Sequence, residues 1–524
     1  MITKLIVFLG ALRQNQHSLV MDYFFLSALS WAYLGKIRSF TWCAVLTDIS
    51  AAISIFAVFT YAFALALYLL YPNYLDHFQA VVASTSWFWL QGHELYPNWT
   101  TGQIYGFAYG PMLFVINGTA LLLKASIFAS KLPGVLSLGS ALGATWALLA
   151  WKTGSRLVSL ILSASMIMVF SAFNEFAYWN RAEPFLILLS AISLLLAFRS
   201  SSFVAVVGIG VLTGIAAAVK IHGFIYTIPA AAAALARVEA PRRLKIAIVG
   251  SACAVTCAAL PFFAKGVSII GYLRFLRLAF DEGLMASGLI ANIFFAVVLT
   301  APIIVIWIWR KPALHPSERC FLAALGPSLA VMTIIGAKRG GGEYYLLPLV
   351  PVCIYAIVVV CVSSKTEIWK IASLVFFSYF LAYSPNLVLG TADLYRLEAA
   401  TSERERGKIA ELKTYLASYP EAQIGVSDDE HYESYFYGVY SVWNGHPLDV
   451  DFSVWGDLAI VGTDEGYILR FVKACTIPVW ILPLGRPFML VNSSLLSENF
   501  RQTFLTNYRQ IETGQAYQVW KCKS

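Results

Sequence analysis

Charge is the scarcest property of this chain. Its 524 residues include 37 Lys and Arg and 29 Asp and Glu, only 13% charged, against roughly 25% for a typical soluble domain. With 59% hydrophobic residues, the deficit excludes an ordinary soluble globular chain. The sequence also has no C-x-x-C pair, no internal repeat, no low-complexity tract and no D-x-D-x-D-G calcium loop. A short apolar region with an A-x-A-like cleavage site is missing too, so the first helix is expected to stay as an uncleaved signal. The formal net charge of +8 is spread through short loops, a distribution that orients membrane helices and does not suggest nucleic acid.

What is present is a succession of apolar runs. They fall at 49–70, 109–127, 134–151, 157–174, 184–198, 203–219, 222–236, 246–264, 289–309, 320–337, 345–362 and 368–389. Runs of 17 to 25 residues suit a hydrocarbon core of about 30 Å. The fold class is therefore a polytopic α-helical membrane protein with about 11–12 apolar segments and a C-terminal α/β domain. Residues 1–44 are expected to form a cytoplasmic or interfacial segment, 45–390 the transmembrane domain with its first external loop at 71–110, and 395–524 the extracytoplasmic domain.

Lys4, Arg13, Lys36 and Arg38 precede the first span, and basic loops recur at Arg237–Lys245, Arg310–Lys311 and Lys365. The positive-inside rule puts these in the cytoplasm and Asp76, Arg181, Glu183, Lys338 and the tail outside. Twelve full spans starting inside would end inside, so one segment must be re-entrant, interfacial or merged. Gly110–Leu123 and the break at Lys220–Gly223 are the candidates.

Six cysteines, Cys43, Cys253, Cys257, Cys320, Cys353 and Cys361, lie in or beside apolar segments and read as small core hydrophobes. Cys475 and Cys522 lie in the polar tail and could pair in an oxidising compartment. In that tail Thr401–Tyr419 reads as an amphipathic helix, with helix candidates at Glu430–Tyr440 and Asp464–Ala474. Strand-like runs lie at Gln423–Val426, Leu458–Val461, Val479–Leu482, Phe488–Val491 and Tyr517–Trp520. The acidic clusters Ser427–Glu430 and Asp449–Asp451 read as solvated loop acids, and the N-x-S/T matches at Asn98, Asn117 and Asn492 as chance.

The stretch from Tyr74 to Pro111 is the densest in chemistry: YLDHFQAVVASTSWFWLQGHELYPNWTTGQIYGFAYGP. It opens on Asp76 and His77, continues through G-H-E-L-Y-P and closes on Y-G-P. Two further elements follow, Asn180-Arg181-Ala182-Glu183-Pro184 and Lys338 to Pro348, KRGGGEYYLLP. The three together resemble the GT-C superfamily of polyprenyl-phosphate-sugar-dependent glycosyltransferases. That superfamily includes the protein O-mannosyltransferases, the aminoarabinose transferases and the RgtA/B/C/D-like lipid A core enzymes. The usual pattern is an Asp-Glu-like pair, G-x-x-x-Y-P, then Y-P-P or Y-G-P. Asp76 matches the first acid, Gly92, Tyr96 and Pro97 the second element, and Tyr109 to Pro111 the third. His77 departs from it, standing where Glu is common.

The resemblance implies an inverting hexosyl or pentosyl transfer from a polyprenyl phosphate to a lipid, glycan or protein acceptor on the outer face of a bacterial cytoplasmic membrane. Asp76 would be the general base, a role worth about 10²–10⁴ in rate. Glu183 would bind a metal, orient the acceptor or pair with Arg181. Lys220, His222, Lys338, Arg339 and Arg181 are candidates for the donor phosphate, the arginines as planar forks and the lysines as point charges. His77, His93, Tyr96, Tyr109 and Tyr345 are candidate substrate contacts. Nothing in the spacing fixes a metal, and a divalent cation stays open.

Each has a plainer reading. Asp76 could be a solvated acid at a helix end, and His77 and His93 packing residues. Arg181 and Glu183 could form a structural pair, and Lys338–Arg339 ordinary interfacial charge. Lys220 sits between two apolar runs, where an ionisable group that does not snorkel is a functional hypothesis. Trp87, Phe88, Trp89, Trp99, Tyr105 and Tyr109 suit an interfacial belt, or a platform for prenyl chain or sugar. A transporter or flippase would call for inverted repeats and charges at mid-membrane, and neither is evident. A non-catalytic envelope-assembly factor would tolerate change at Asp76 but not in the tail.

Overall fold

Inside hydrocarbon every backbone N–H and C=O must be satisfied within its own segment, so apolar runs of this length fold as helices. The computed structural model describes residues 40–281, 283–364, 367–425, 433–484 and 496–523. The interfacial segment expected before residue 40, Lys365, Ser427–Glu430, Phe488–Val491 and Asn492 lie outside the described residues.

All twelve apolar runs are helical. Among the described residues, eight helices are long and apolar enough to cross a membrane: Val45–Leu70, Ile127–Thr153, Ser202–Val219, Ala240–Phe263, Ala286–Arg310, Pro316–Ile335, Glu343–Ser363 and Ile368–Leu397. This is a multi-pass membrane protein. Pro111–Leu123, Arg156–Ser171 and Gly223–Ala236 are shorter. At 13 residues, Pro111–Leu123 extends only about 20 Å, two-thirds of a hydrocarbon core. It is one of the two segments singled out by the charge count. The Lys220–Gly223 break, the other, ends Ser202–Val219 and turns the chain into a short 3₁₀ segment, Gly223–Thr227.

Glu343–Ser363 is the axis of the bundle, with every residue from Tyr345 to Cys361 buried. Ala240–Ala259 lies at its rim, with Gly250 its sole buried residue. The last helix, Ile368–Ser418, runs unbroken for 51 residues, about 75 Å, far more than a membrane needs. The amphipathic helix expected at Thr401–Tyr419 is thus the C-terminal end of the last span, and one continuous helix leads from the membrane helices to the sheet region.

Beyond it stands a four-stranded sheet, order β1-β2-β4-β3: β1 Ala422–Ile424, β2 Val479–Pro483, β3 Tyr508–Thr513 and β4 Tyr517–Cys522. β1 and β2 are parallel and the other pairs antiparallel. Helices Glu433–Trp443, Phe452–Ile460, Gly466–Lys473 and Glu498–Asn507 flank it. The strand expected at Leu458–Val461 is a correction, since this stretch belongs to helix Phe452–Ile460 and the turn after it. The reason lies upstream. Asp451 caps that helix, its carboxylate accepting from Ser453 N (2.9 Å) and Val454 N (3.4 Å), and buried Phe452, Trp455 and Leu458 recur at helical spacing. Asp451 is therefore a half-buried structural acid rather than a solvated one. Asn117, read as a chance glycosylation match, is buried and donates to the Leu113 carbonyl within its own helix.

Cys475 and Cys522 form a disulfide across 47 residues, tying the end of helix Gly466–Lys473 to the end of β4. Closing a loop of that length is worth about 2–4 kcal/mol. Cys475→Ser is expected to lower the unfolding midpoint of the sheet domain, followed by pulse proteolysis of the full chain. An unchanged midpoint would mean that the sheet closes without the bond.

Candidate active site

The loop at 71–110 is anchored at its start. Lys131, fully buried near the start of helix Ile127–Thr153, donates to the carbonyls of Tyr68, Tyr71 and Asn73 at 2.8, 2.9 and 2.7 Å. It satisfies carbonyls at the C-terminal end of the first span and fixes where the loop begins. The Tyr74 hydroxyl meets Ser130 Oγ at 2.7 Å. Asp76 then sits at the N-cap of helix His77–Leu90, yet its side chain makes no capping hydrogen bond.

The Asp76 carboxylate is spent elsewhere. Arg181 Nε donates to Oδ2 at 3.0 Å, Nη2 closes on the same oxygen, and His77 Nδ1 lies 2.9 Å from Oδ1. Burial pushes the Asp76 pKa up, but the His77 contact and the Arg181 charge outweigh it and hold it at about 2. The guanidinium of Arg181 is sandwiched between the rings of Phe78 (4.6 Å) and Phe176 (4.4 Å). A second pair lies beside the first: Lys220 Nζ donates to Glu183 Oε1 at 2.7 Å, with both side chains buried. Glu183 opens helix Glu183–Arg199, and Lys220 closes Ser202–Val219. Lys220 Nζ also lies 4.0 Å from the centre of the Tyr345 ring and 5.5 Å from that of Tyr109.

The Y-G-P motif has a steric reason. Gly110 N donates to Val219 O at 2.9 Å, and a Cβ on Gly110 would stand 2.1 Å from the Ala218 carbonyl oxygen. Glycine lets the loop dock on the helix end that carries Lys220, and Pro111 starts the next helix. Gly110→Ala is expected to separate Tyr109 from Lys220 and to destabilise the chain by more than the roughly 1 kcal/mol typical of a point substitution. Thermal unfolding in detergent checks this; an unchanged midpoint would show that the contact yields cheaply.

Arg181, Lys220, Lys338, Tyr109 and Tyr345 come together on one cavity of about 480 Å³, with His222 on the same wall. One lip of the cavity is apolar and exposed, formed by Phe280, Leu284 and Ile334, which are 79%, 68% and 53% exposed, with Leu284 bridged to Lys338. The lip is held by backbone pairing, Met285 N to Ala337 O (2.8 Å) and Arg339 N to Gly283 O (3.0 Å). Asp457 and Leu458, from helix Phe452–Ile460 of the C-terminal domain, complete the wall. That domain is bound to the loop: Ile104 bridges Val450 in parallel, and Arg470 reaches the Trp99, Thr100 and Gly102 carbonyls.

No protein-family model matches the chain, and no curated protein matches it in sequence. Among solved structures it overlays the ArnT of Cupriavidus metallidurans in its apo state at 12% identity and a TM-score of 0.52, covering 90% of this chain and 98% of that one. The same protein bound to undecaprenyl phosphate overlays at 12% identity and a TM-score of 0.51, covering 92% and 98%. The chain shares the fold of that ArnT over nearly its whole length. At this identity the likeness establishes the fold alone.

Within this fold the expected residues divide into three groups. Arg181, Lys220, Lys338, Tyr109 and Tyr345 line the cavity, while Asp76 and Glu183 stand behind its cations, each reached through an ion pair. Four others have different surroundings. His93 is exposed and stacked on Phe88, 3.6 Å between ring centres. Tyr96 is a buried brace whose hydroxyl donates to the Tyr109 carbonyl at 2.7 Å. Arg339 is exposed and holds the lip through its backbone. His77 is half-exposed against Asp76. The aromatic cluster divides similarly: Tyr109 reaches the cavity, whereas Trp99 packs on Phe275 (4.8 Å) and Tyr105 on Phe88 (5.1 Å).

Sequence reasoning missed Lys131, whose position inside an apolar run was a usable signal. It also missed Tyr344, stacked on Phe176 at 3.6 Å, and Asp457, which no local pattern marks. Among the described residues no three His, Cys, Asp or Glu side chains converge on a point that would hold a metal ion.

Proposed function

We propose that this protein is a glycosyltransferase that moves a sugar from a polyprenyl-phosphate donor to a lipid, glycan or protein acceptor at the outer face of a cytoplasmic membrane. The observation that carries this reading is the cavity's mixed lining: a cationic cluster of Arg181, Lys220 and Lys338, and an exposed apolar edge of Phe280, Leu284 and Ile334. A phosphate fits the first and a prenyl chain the second. The overlay on an ArnT that binds undecaprenyl phosphate points the same way, and the Cys475–Cys522 disulfide suits a C-terminal domain in an oxidising compartment.

The residues then take roles. Lys220 and Arg181 neutralise the departing phosphate, placed in advance where the charge develops, and Lys338 adds to their field. Glu183 holds Lys220 in position. Arg181 links donor to base, because its guanidinium both lines the cavity and grips Asp76. A phosphate competing for that guanidinium loosens the pair, and the Asp76 pKa climbs from about 2 toward its ordinary value. Asp76 thereby becomes a stronger proton acceptor for the acceptor hydroxyl once the donor is bound. Tyr109 and Tyr345 flank the sugar, which enters under the wall formed by Asp457. Inversion follows if the acceptor attacks C1 opposite the phosphate.

Binding is the first test. Undecaprenyl phosphate is expected to raise the unfolding temperature of the detergent-solubilised chain in a saturable way, with the effect lost in Lys220→Met. No stabilisation by any polyprenyl phosphate would sink the donor assignment.

A further inference from the structure

His222 stands in the break after Ser202–Val219, two residues beyond Lys220, on the cavity wall. Its ring stacks on Tyr345 at 5.0 Å and lies edge-on to Tyr226 at 6.2 Å. Its Nε2 is buried without a hydrogen-bond partner among the described residues, a condition that calls for an explanation in a native interior. The charged and titratable groups around it come from several elements. Lys220 is on its own segment and is paired with Glu183 of the neighbouring helix. Lys338 and Arg181 come from two other loops, Tyr344 and Tyr345 from the 3₁₀ segment Glu343–Leu349, Tyr109 from the first external loop, and Asp457 from the C-terminal domain. Burial, then the charges of Lys220 and Lys338, hold the His222 pKa well below its ordinary value. With no anion in the cavity the ring is neutral at pH 7.

We propose that His222 is a proton-accepting phosphate ligand, neutral beside the donor and protonated once the sugar has left. This rests on the donor reading above. In the transfer the C1–O bond to phosphate breaks with its electron pair going to the phosphate oxygen. The acceptor oxygen forms the new bond to C1, and the acceptor's proton departs to Asp76 and then to solvent. The phosphodiester with one negative charge becomes a monoester with two. Lys220 and Arg181 are charged throughout and cannot follow that change, whereas a neutral imidazole can, by taking one proton from solvent. The response favours the more charged, later state over the donor complex, so it is the kind of interaction that lowers a barrier.

The expected signature is pH-dependent affinity for undecaprenyl phosphate, measured on the full chain in detergent between pH 7 and 8.5, where a phosphate monoester is already dianionic. Uptake of one proton on binding makes affinity fall about tenfold per pH unit. In His222→Gln the dependence should flatten, with affinity at pH 7 reduced about tenfold. Calorimetry of the wild type in two buffers of different ionisation enthalpy should give about one proton taken up per phosphate, a readout that stands if the variant fails to fold. Binding with no proton uptake, or a slope unchanged in His222→Gln, overturns the assignment while leaving the donor site intact. A wild type that binds no undecaprenyl phosphate overturns the donor reading itself.

Discussion

Lys220→Met is expected to abolish transfer and to destabilise the chain by about 3–5 kcal/mol, because it leaves the Glu183 carboxylate buried without its charge partner. Glu183 is 1% exposed, its Oε2 has no hydrogen-bond partner among the described residues, and its Oε1 accepts the 2.7 Å bond from Lys220. The double variant Glu183→Leu with Lys220→Met separates the two effects. Replacing a buried pair by apolar residues of similar volume is often neutral or stabilising, so the double variant should recover most of the lost stability. Transfer should stay at least about a hundredfold down, since removing one preorganised charge at a developing anion costs about 10²–10³ in rate. Thermal unfolding and turnover on the same preparations provide the check. If activity returned along with stability, Lys220 would be structural and the phosphate would need another ligand.

Asp76→Asn should lower turnover by at least about a hundredfold with a smaller change in donor affinity, since Asp76 stands behind Arg181 rather than on the cavity wall. It also removes a pH-dependent contribution to stability. A carboxylate held at about 2 in the folded chain and near 3.9 when unfolded stabilises the fold above pH 4 by about 2–3 kcal/mol, a contribution lost as pH falls toward 2. Acid titration of unfolding in wild type and Asp76→Asn should therefore converge at low pH and diverge above pH 4. Parallel curves would mean that Arg181 does not hold Asp76 in solution.

Much of this site was legible in the sequence because its pieces fall where apolar runs end. Asp76, Arg181, Glu183, Lys220 and Lys338 are ionisable groups at helix boundaries, and the hydrocarbon solvent leaves few other charges to confuse them with. Their pairing was not legible. Arg181 was expected to meet either a phosphate or Glu183, and the structure gives it Asp76, with Lys220 taking Glu183. Tyr68 ties the two segments together, its hydroxyl accepting from Asn180 N and donating to Gln79. No local pattern reports it.

The tail was read less well for a different reason. Leu458–Val461 has strand-like composition but is governed by a cap at Asp451, seven residues upstream. β3 was overlooked because it buries only Tyr508 and exposes the next five residues, which erases the alternation that marks a strand. That the same tail would bring Asp457 to the cavity depends on Gln103 and Ile104 meeting Asp449 and Val450, contacts between residues more than 340 positions apart.

The most direct measurement is transfer of radiolabelled sugar from a panel of polyprenyl-phosphate donors to envelope fractions, comparing membranes that carry wild type and Asp76→Asn at matched expression. Label moved by the wild type and reduced at least about a hundredfold in the variant is the expected result. Equal transfer by both would remove Asp76 from the chemistry, and no transfer by either across the panel would contradict the glycosyltransferase assignment.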